Sequence, residues 1–176
     1  MSTIWKHRIL GLLLAAVLFL TDQWLKWLMI ERVRLREIGS VELLPFFDLT
    51  WVENYGVSLG MFTATSSEMR LGLIAVTAGI ALVVFLWMLR ERRLWDILPL
   101  GLVLGGALGN IRDRWSYGFV VDYADLHFGD FRPFLVFNLA DAAITIGVLI
   151  ILARSFLSRE KHETPEDDAG EPATES

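Results

Sequence analysis

LGLIAVTAGIALVVFLWML, residues 71–89, contains no charged side chain. A helix rises about 1.5 Å per residue, so this run nearly crosses a bilayer core about 30 Å thick. It is also too long and unbroken for a buried strand of a soluble domain. Three other runs fit the same template. Ile9–Ile30 is interrupted only by Thr21, Asp22, Gln23 and Lys26. Ile97–Ile111 is short and glycine-rich, and reaches full length only with its polar ends. Phe134–Ala153 holds Asn138, Asp141 and Thr145 as its polar residues. The expected fold is an all-α membrane protein of four transmembrane helices with a small β-rich extracytoplasmic element.

Composition agrees. The chain has 176 residues, 54% of them hydrophobic, against about 45–50% in soluble domains. Mean hydropathy is +0.47. This length predicts one transmembrane domain over residues 1–157, followed by an acidic, disordered cytoplasmic tail over 158–176. The apolar run after Lys6 and Arg8 lacks the small-residue cleavage site of a secretory signal, so it reads as a retained helix. The absence of cysteine excludes disulfides, thiolate nucleophiles and cysteine-based metal sites. His7, His127 and His162 lack ligand spacing, so no metal is expected. The formal net charge of -5 owes much to the tail, and no basic cluster points to nucleic acid.

Lys6 and Arg8, Arg90, Arg92 and Arg93, and then Arg154, Arg159 and Lys161 fall on one side of a four-crossing chain. The positive-inside rule makes that side cytoplasmic, with both termini there, although Arg32, Arg34 and Arg36 lie opposite. Two segments then face outward. In 31–68, Phe47-Asp48-Leu49-Thr50-Trp51 alternates as a half-buried strand whose Trp51 suits headgroup depth. The segment 115–133 reads as an acidic loop containing Asp122, Asp125 and Asp130.

An ionisable group within a spanning helix needs a reason to be there. Asp22 and Lys26 are four apart and can pair on one face, which favours a structural ion pair. Asn138 and Asp141 share a face with Thr145, and an unpaired carboxylate in an apolar helix favours function. Asn110, Asp113 and Arg114 form a polar cluster closing the third helix, with an Asp113–Arg114 interfacial clamp as the plain reading. Gly101, Gly105 and Gly109 let a neighbouring backbone approach. Glu53-Asn54-Tyr55-Gly56 reads as a turn after the strand.

Carboxylates are therefore the leading candidates for chemistry. Two that approach closely share one proton, and the pair can hydrolyse an amide without a covalent intermediate. A proton-coupled carrier, a non-catalytic scaffold and a divalent-cation site stay open on these residues alone.

Four blocks carry a resemblance. They are Thr21-Asp22-Gln23-Trp24-Leu25-Lys26, then Glu53-Asn54-Tyr55-Gly56-Val57-Ser58-Leu59-Gly60. The third runs from Gly105 to Arg114 and on through Gly118-Phe119-Val120-Val121-Asp122, and the fourth is Phe137-Asn138-Leu139-Ala140-Asp141. In this order, the chain resembles the lipoprotein signal peptidases (type II signal peptidases) of bacteria over nearly its whole length short of the tail. The resemblance implies a catalytic dyad of Asp122 and Asp141. It also implies a supporting set of Asp22, Lys26, Asn54, Gly56, Asn110, Asp113, Arg114, Asn138 and Ala140. The implied reaction removes the signal peptide from diacylglyceryl-modified prolipoproteins, on the amino side of the lipidated cysteine. It needs no metal or other cofactor and takes place near the outer face of the cytoplasmic membrane. The expected partners are these precursors and membrane lipid, with the enzyme a monomer. Tyr55, Leu59 and Met61 depart from the family pattern, where threonine, alanine and phenylalanine are common.

Overall fold

The computed structural model describes residues 2–57, 62–63 and 67–160. Helix α1 (Thr3–Trp27) continues through a π-turn (Leu28–Arg32) to a short α2 (Leu35–Ile38). Strands β1 (Ser40–Leu44), β2 (Phe47–Asn54), β3 (Gly56–Val57) and β4 (Phe62–Thr63) follow. The chain then forms α3 (Ser67–Arg90), α4 (Leu94–Ser116), β5 (Val120–Leu126) and α5 (Leu139–Glu160).

Among the described residues, four helices are long and apolar enough to span a bilayer, and the chain is a multi-pass membrane protein. Leu13, Val17 and Leu20 of α1, Val76, Ile80 and Val83 of α3, and Leu149 and Leu152 of α5 all point outward. In water such faces would be a liability, whereas in lipid they are the surface the solvent requires.

Helix α4 is central and packs against α1, α3 and α5. Its glycines explain how three helices crowd one. A Cβ on Gly101 would lie 2.7 Å from the Gly11 carbonyl oxygen, and one on Gly105 would lie 2.6 Å from that of Ala15. On another face, a Cβ on Gly106 would meet the Ala140 carbonyl at 2.5 Å. The expected close approach is therefore present, towards α1 and also towards α5.

The expected strand at 47–51 is present as part of β2. Its eight residues are all half-buried, so the alternation is not expressed as one dry and one wet face. The reason is position, since β2 is the middle of a three-stranded sheet ordered β1-β2-β5. Trp51 packs against a core of Met29, Leu35, Tyr123 and Ala124, so it is partly held by protein.

Two expectations change. The segment 115–133 is not simply a loop: Gly118, at φ +89°, turns the chain out of α4 and into β5. There Val120 through Asp125 are buried, because β5 lies between the sheet and the end of the bundle. The fourth helix starts at Leu139 rather than Phe134. Phe137 is held as an extended residue against β5, exchanging N–H···O bonds of 3.0 and 2.8 Å with Ala124. At the other end, α5 runs to Glu160, three residues past the expected domain boundary, and the rest of the acidic tail lies outside the described residues.

Candidate active site

Register decides what meets Asp122. In the β2–β5 ladder Leu49 faces Ala124 and Val52 faces Asp122, so β2 carries an extra residue between these pairs. Side chains alternate along a strand, and an extra residue switches which of them share a face. The bulge puts Asn54 on the face of Asp122, where its Nδ2 donates to Asp122 Oδ2 at 3.0 Å. The backbone N–H of Gly56 donates to Asn54 Oδ1 at 3.2 Å, holding that amide in place.

On the other edge of β5, the Phe137–Ala124 bridge delivers Asn138. Its Nδ2 donates to Asp122 Oδ1 at 2.5 Å. Its Oδ1 accepts the backbone N–H of Asp141 at 2.9 Å, while its own N–H donates to Asp141 Oδ2 at 3.4 Å. This reciprocal pair is a capping box with Asn138 as N-cap and Asp141 three residues on. Asp141 is thus not an unpaired carboxylate inside an apolar helix, as the sequence implied. It stands in the first turn of α5, at the positive end of that helix. Asn110 Nδ2 donates to its Oδ1 at 2.7 Å.

The two aspartates differ in surroundings. Asp122 is 2% exposed, and burial, with the charge of Asp141 adding to it, pushes its carboxyl up to about 7. Asp141 is half-buried and lines a cavity of about 240 Å³ with Phe134, Phe137, Ala142, Thr145 and Ile146. The walls around this one carboxylate are apolar apart from Thr145.

Behind the aspartates lies a buried ionic lattice. Lys26 Nζ reaches Asp22 Oδ2 at 2.9 Å, Asp113 Oδ2 at 2.7 Å and Asn110 Oδ1 at 3.3 Å. An ammonium has three protons to give, and all three are committed. Lys26 is therefore a fastener, in line with the structural reading of the Asp22–Lys26 pair. Asp22 Oδ1 accepts the Ala140 N–H at 3.1 Å, and Asp113 Oδ2 accepts that of Val121 at 3.3 Å. One lattice therefore ties α1 and α4 to the start of α5 and to β5, the two segments that carry Asp141 and Asp122.

The expected Asp113–Arg114 clamp is replaced. Adjacent helical residues point about 100° apart, and Asp113 turns inward to Lys26. Among the described residues Arg114 Nε is buried without a hydrogen-bond partner, and its charge acts on Asp141, Asp122 and Asp113. Of the departures from the family pattern, Tyr55 is exposed and packs against Phe119 at 5.3 Å between ring centroids. Its hydroxyl donates to Glu53 at 2.5 Å and holds that carboxyl below its usual range. Leu59 and Met61 lie outside the described residues.

Sequence reasoning passed over Gln23. Its Nε2 donates to Asp22 Oδ2 and Asp113 Oδ1 at 3.0 Å each and to the Gly109 carbonyl at 3.2 Å, and its Oε1 accepts from Arg112. The available signal was an uncharged polar residue three before Lys26, on the same face. Gly109 is more than a packing residue, because a Cβ there would sit 2.6 Å from Asp22 Oδ2.

Comparison with known proteins identifies the family. A family model described as Signal peptidase (SPase) II matches residues 14–157. The lipoprotein signal peptidase of Sphingopyxis alaskensis is 54% identical over 86% of this chain and 87% of its own. That of Acinetobacter baumannii is 32% identical over 93% and 92%. A bacterial membrane enzyme solved by the in meso method superposes with TM-score 0.74 at 26% identity, covering 91% of this chain and 94% of that one. A second such enzyme gives 0.70 at 28% identity, over 82% and 91%. The chain belongs to the signal peptidase II family of membrane proteases.

Proposed function

We propose that the chain removes signal peptides from diacylglyceryl-modified prolipoproteins, with Asp122 and Asp141 as its catalytic dyad. The observation that carries the reading is Asn138, a single buried side chain bonded to both aspartates. Asp122 holds the shared proton, since its burial disfavours the charged form. Asp141 faces the cavity from the first turn of α5, at the positive end of that helix, and acts as the base. The base draws a proton from water as the oxygen attacks the scissile carbonyl, while Asp122 donates to that carbonyl oxygen. Collapse of the tetrahedral intermediate then expels the amine, which takes the proton held by Asp141, while the hydroxyl formed on the carbonyl carbon returns a proton to Asp122 and restores the dyad. Asn110, Asn138 and Asn54 keep the carboxyls aimed, and the Lys26 lattice keeps their segments together. Arg114 adds a positive charge that interacts with both carboxyls.

The cut falls on the amino side of the lipidated cysteine, whose acyl chains stay in the surrounding lipid. The arginines that close α3 and precede α4 make their side cytoplasmic. The dyad then lies toward the outer face of the cytoplasmic membrane, both termini are inside, and the monomer is the working unit. Residues 1–157 constitute the catalytic unit and the acidic tail is a cytoplasmic extension.

The test replaces Asp122 and Asp141 singly by Asn and follows cleavage of a lipidated precursor by the purified protein. Each variant should lose about a hundred- to ten-thousandfold in rate, the contribution typical of a positioned general acid or base. Full activity in either variant overturns the dyad.

A further inference from the structure

The bundle has a second cavity, about 360 Å³, where α3 ends, α4 begins and α5 nears its end. Asp141 is in the first turn of α5 and Arg154 is thirteen residues later, about 20 Å along the helix at 1.5 Å per residue. This cavity is therefore at the other end of the molecule from the aspartates and takes no part in their chemistry.

Its lining divides by polarity. Glu91, Arg93, Asp96 and Arg154 are its charged lining, while Leu100 and Ile151 are apolar, Leu100 being buried. Helices that span a bilayer place their terminal turns at headgroup depth, so this is an interfacial cavity with one wet and one dry side. The four charges balance. Arg154 spends Nε and Nη2 on Asp96 Oδ1, at 2.8 Å each, which leaves Nη1 uncommitted among the described residues. Arg93 is exposed and has no ion pair among the described residues. Glu91 takes the Trp87 indole N–H on Oε1 at 2.8 Å, leaving its other oxygen available among the described residues.

We propose that this cavity binds the headgroup of a zwitterionic phospholipid with a primary ammonium, of the phosphatidylethanolamine class. Arg93 and the free Arg154 nitrogen hold the phosphate, because a guanidinium matches phosphate geometry. Glu91 accepts from the ammonium, and the acyl chains leave past Ile151 into the bilayer. The balanced charged lining is the reason for choosing this class. A purely anionic headgroup would leave Glu91 facing negative charge, and a quaternary ammonium has no proton to give it.

The experiment measures Tm of the purified full-length protein in detergent against concentration of short-chain phosphatidylethanolamine. Phosphatidylglycerol, phosphatidylcholine and acyl-free glycerophosphoethanolamine are run beside it. The expected result is a saturable rise with phosphatidylethanolamine at about a tenfold lower concentration than with the other two lipids. Arg93→Gln should weaken binding of every lipid, whereas Glu91→Gln should erase the preference and keep the binding. A saturable 1:1 lipid adduct in native mass spectrometry of the unmutated protein gives the same reading without any variant.

Equal, unsaturable responses to all lipids overturn the proposal, as do variants that bind like the parent. Acyl-free headgroup binding as tightly as lipid makes the site one for a soluble phosphate compound, which also overturns it. Precursor cleavage by Arg93→Gln and Glu91→Gln should match the parent, so failure here and failure of the peptidase reading are seen separately.

Discussion

Asn138 donates its side-chain amide to Asp122 at 2.5 Å and caps α5 with the same side chain, accepting the Asp141 N–H at 2.9 Å. A helix start and an acid–base pair are thus built from one residue, fully buried between β5 and α4. Changing it tests both roles at once.

For Asn138→Ala, loss of the cap should cost about 1 kcal/mol of stability. Loss of a hydrogen bond to a charged or proton-sharing carboxyl is worth about 1.5–3 kcal/mol, or roughly ten- to a hundredfold in rate. Cleavage rate should therefore fall further than the change in Tm accounts for. Equal activity at lowered Tm would reduce Asn138 to a cap.

Lys26→Met strands Asp22 and Asp113, both 0% exposed. Breaking a buried pair by removing one partner costs about 3–5 kcal/mol. Unfolding in detergent should show a loss of that order. Neutralising all three positions (Lys26→Met with Asp22→Asn and Asp113→Asn) should recover a large part of it, because the penalty lies in the uncompensated charges.

The pH dependence follows from Asp122, raised to about 7 by burial and by Asp141. As the proton donor, it supports catalysis only below that value, so kcat/KM should decline as pH climbs through about 7. Stability has the same sign. The folded state binds this proton more tightly than the unfolded chain, whose aspartates titrate near 4. Between about 4 and 7 the folded state holds more protons, so Asp122 makes stability fall as pH rises across that window. Asp122→Asn should flatten this part of the stability profile, measured as Tm against pH.

Gly106→Ala puts a Cβ 2.5 Å from the backbone oxygen of Ala140, the residue before Asp141. Backbone cannot swing aside, so α5 must move, at a cost of about 1–3 kcal/mol and with a displaced Asp141. Gly79→Ala, with nothing within 4 Å of the new methyl, should leave Tm and cleavage unchanged. Parallel assays of the two variants separate close packing from a general effect of losing glycine.

The two glycines also mark how far a linear reading reaches. Residues 71–89 announce a spanning helix because hydrophobicity is a local property summed over neighbours. The Asp22–Lys26 pair is legible for the same reason, since four residues bring side chains together on any helix. Asn138 with an aspartate three later was a readable N-cap signature as well. It was obscured by the apolar residues before it, which extended the expected helix back to Phe134.

Other features had no local trace. Nothing near Asp113 says that its partner is Lys26 rather than Arg114, because that choice depends on which face of α4 meets α1. Asp122 looked like a loop carboxylate, since β5 becomes a strand only through pairing with β2 on one edge and Phe137 on the other. The extra residue in β2 that turns Asn54 toward Asp122 is a fact of register, and register belongs to two strands at once. What the chain settles alone is where lipid will be its solvent and which few polar groups must answer for being there. Their partners were decided by tertiary structure, because a buried charge is satisfied by whatever packing brings within about 3 Å, however distant along the sequence.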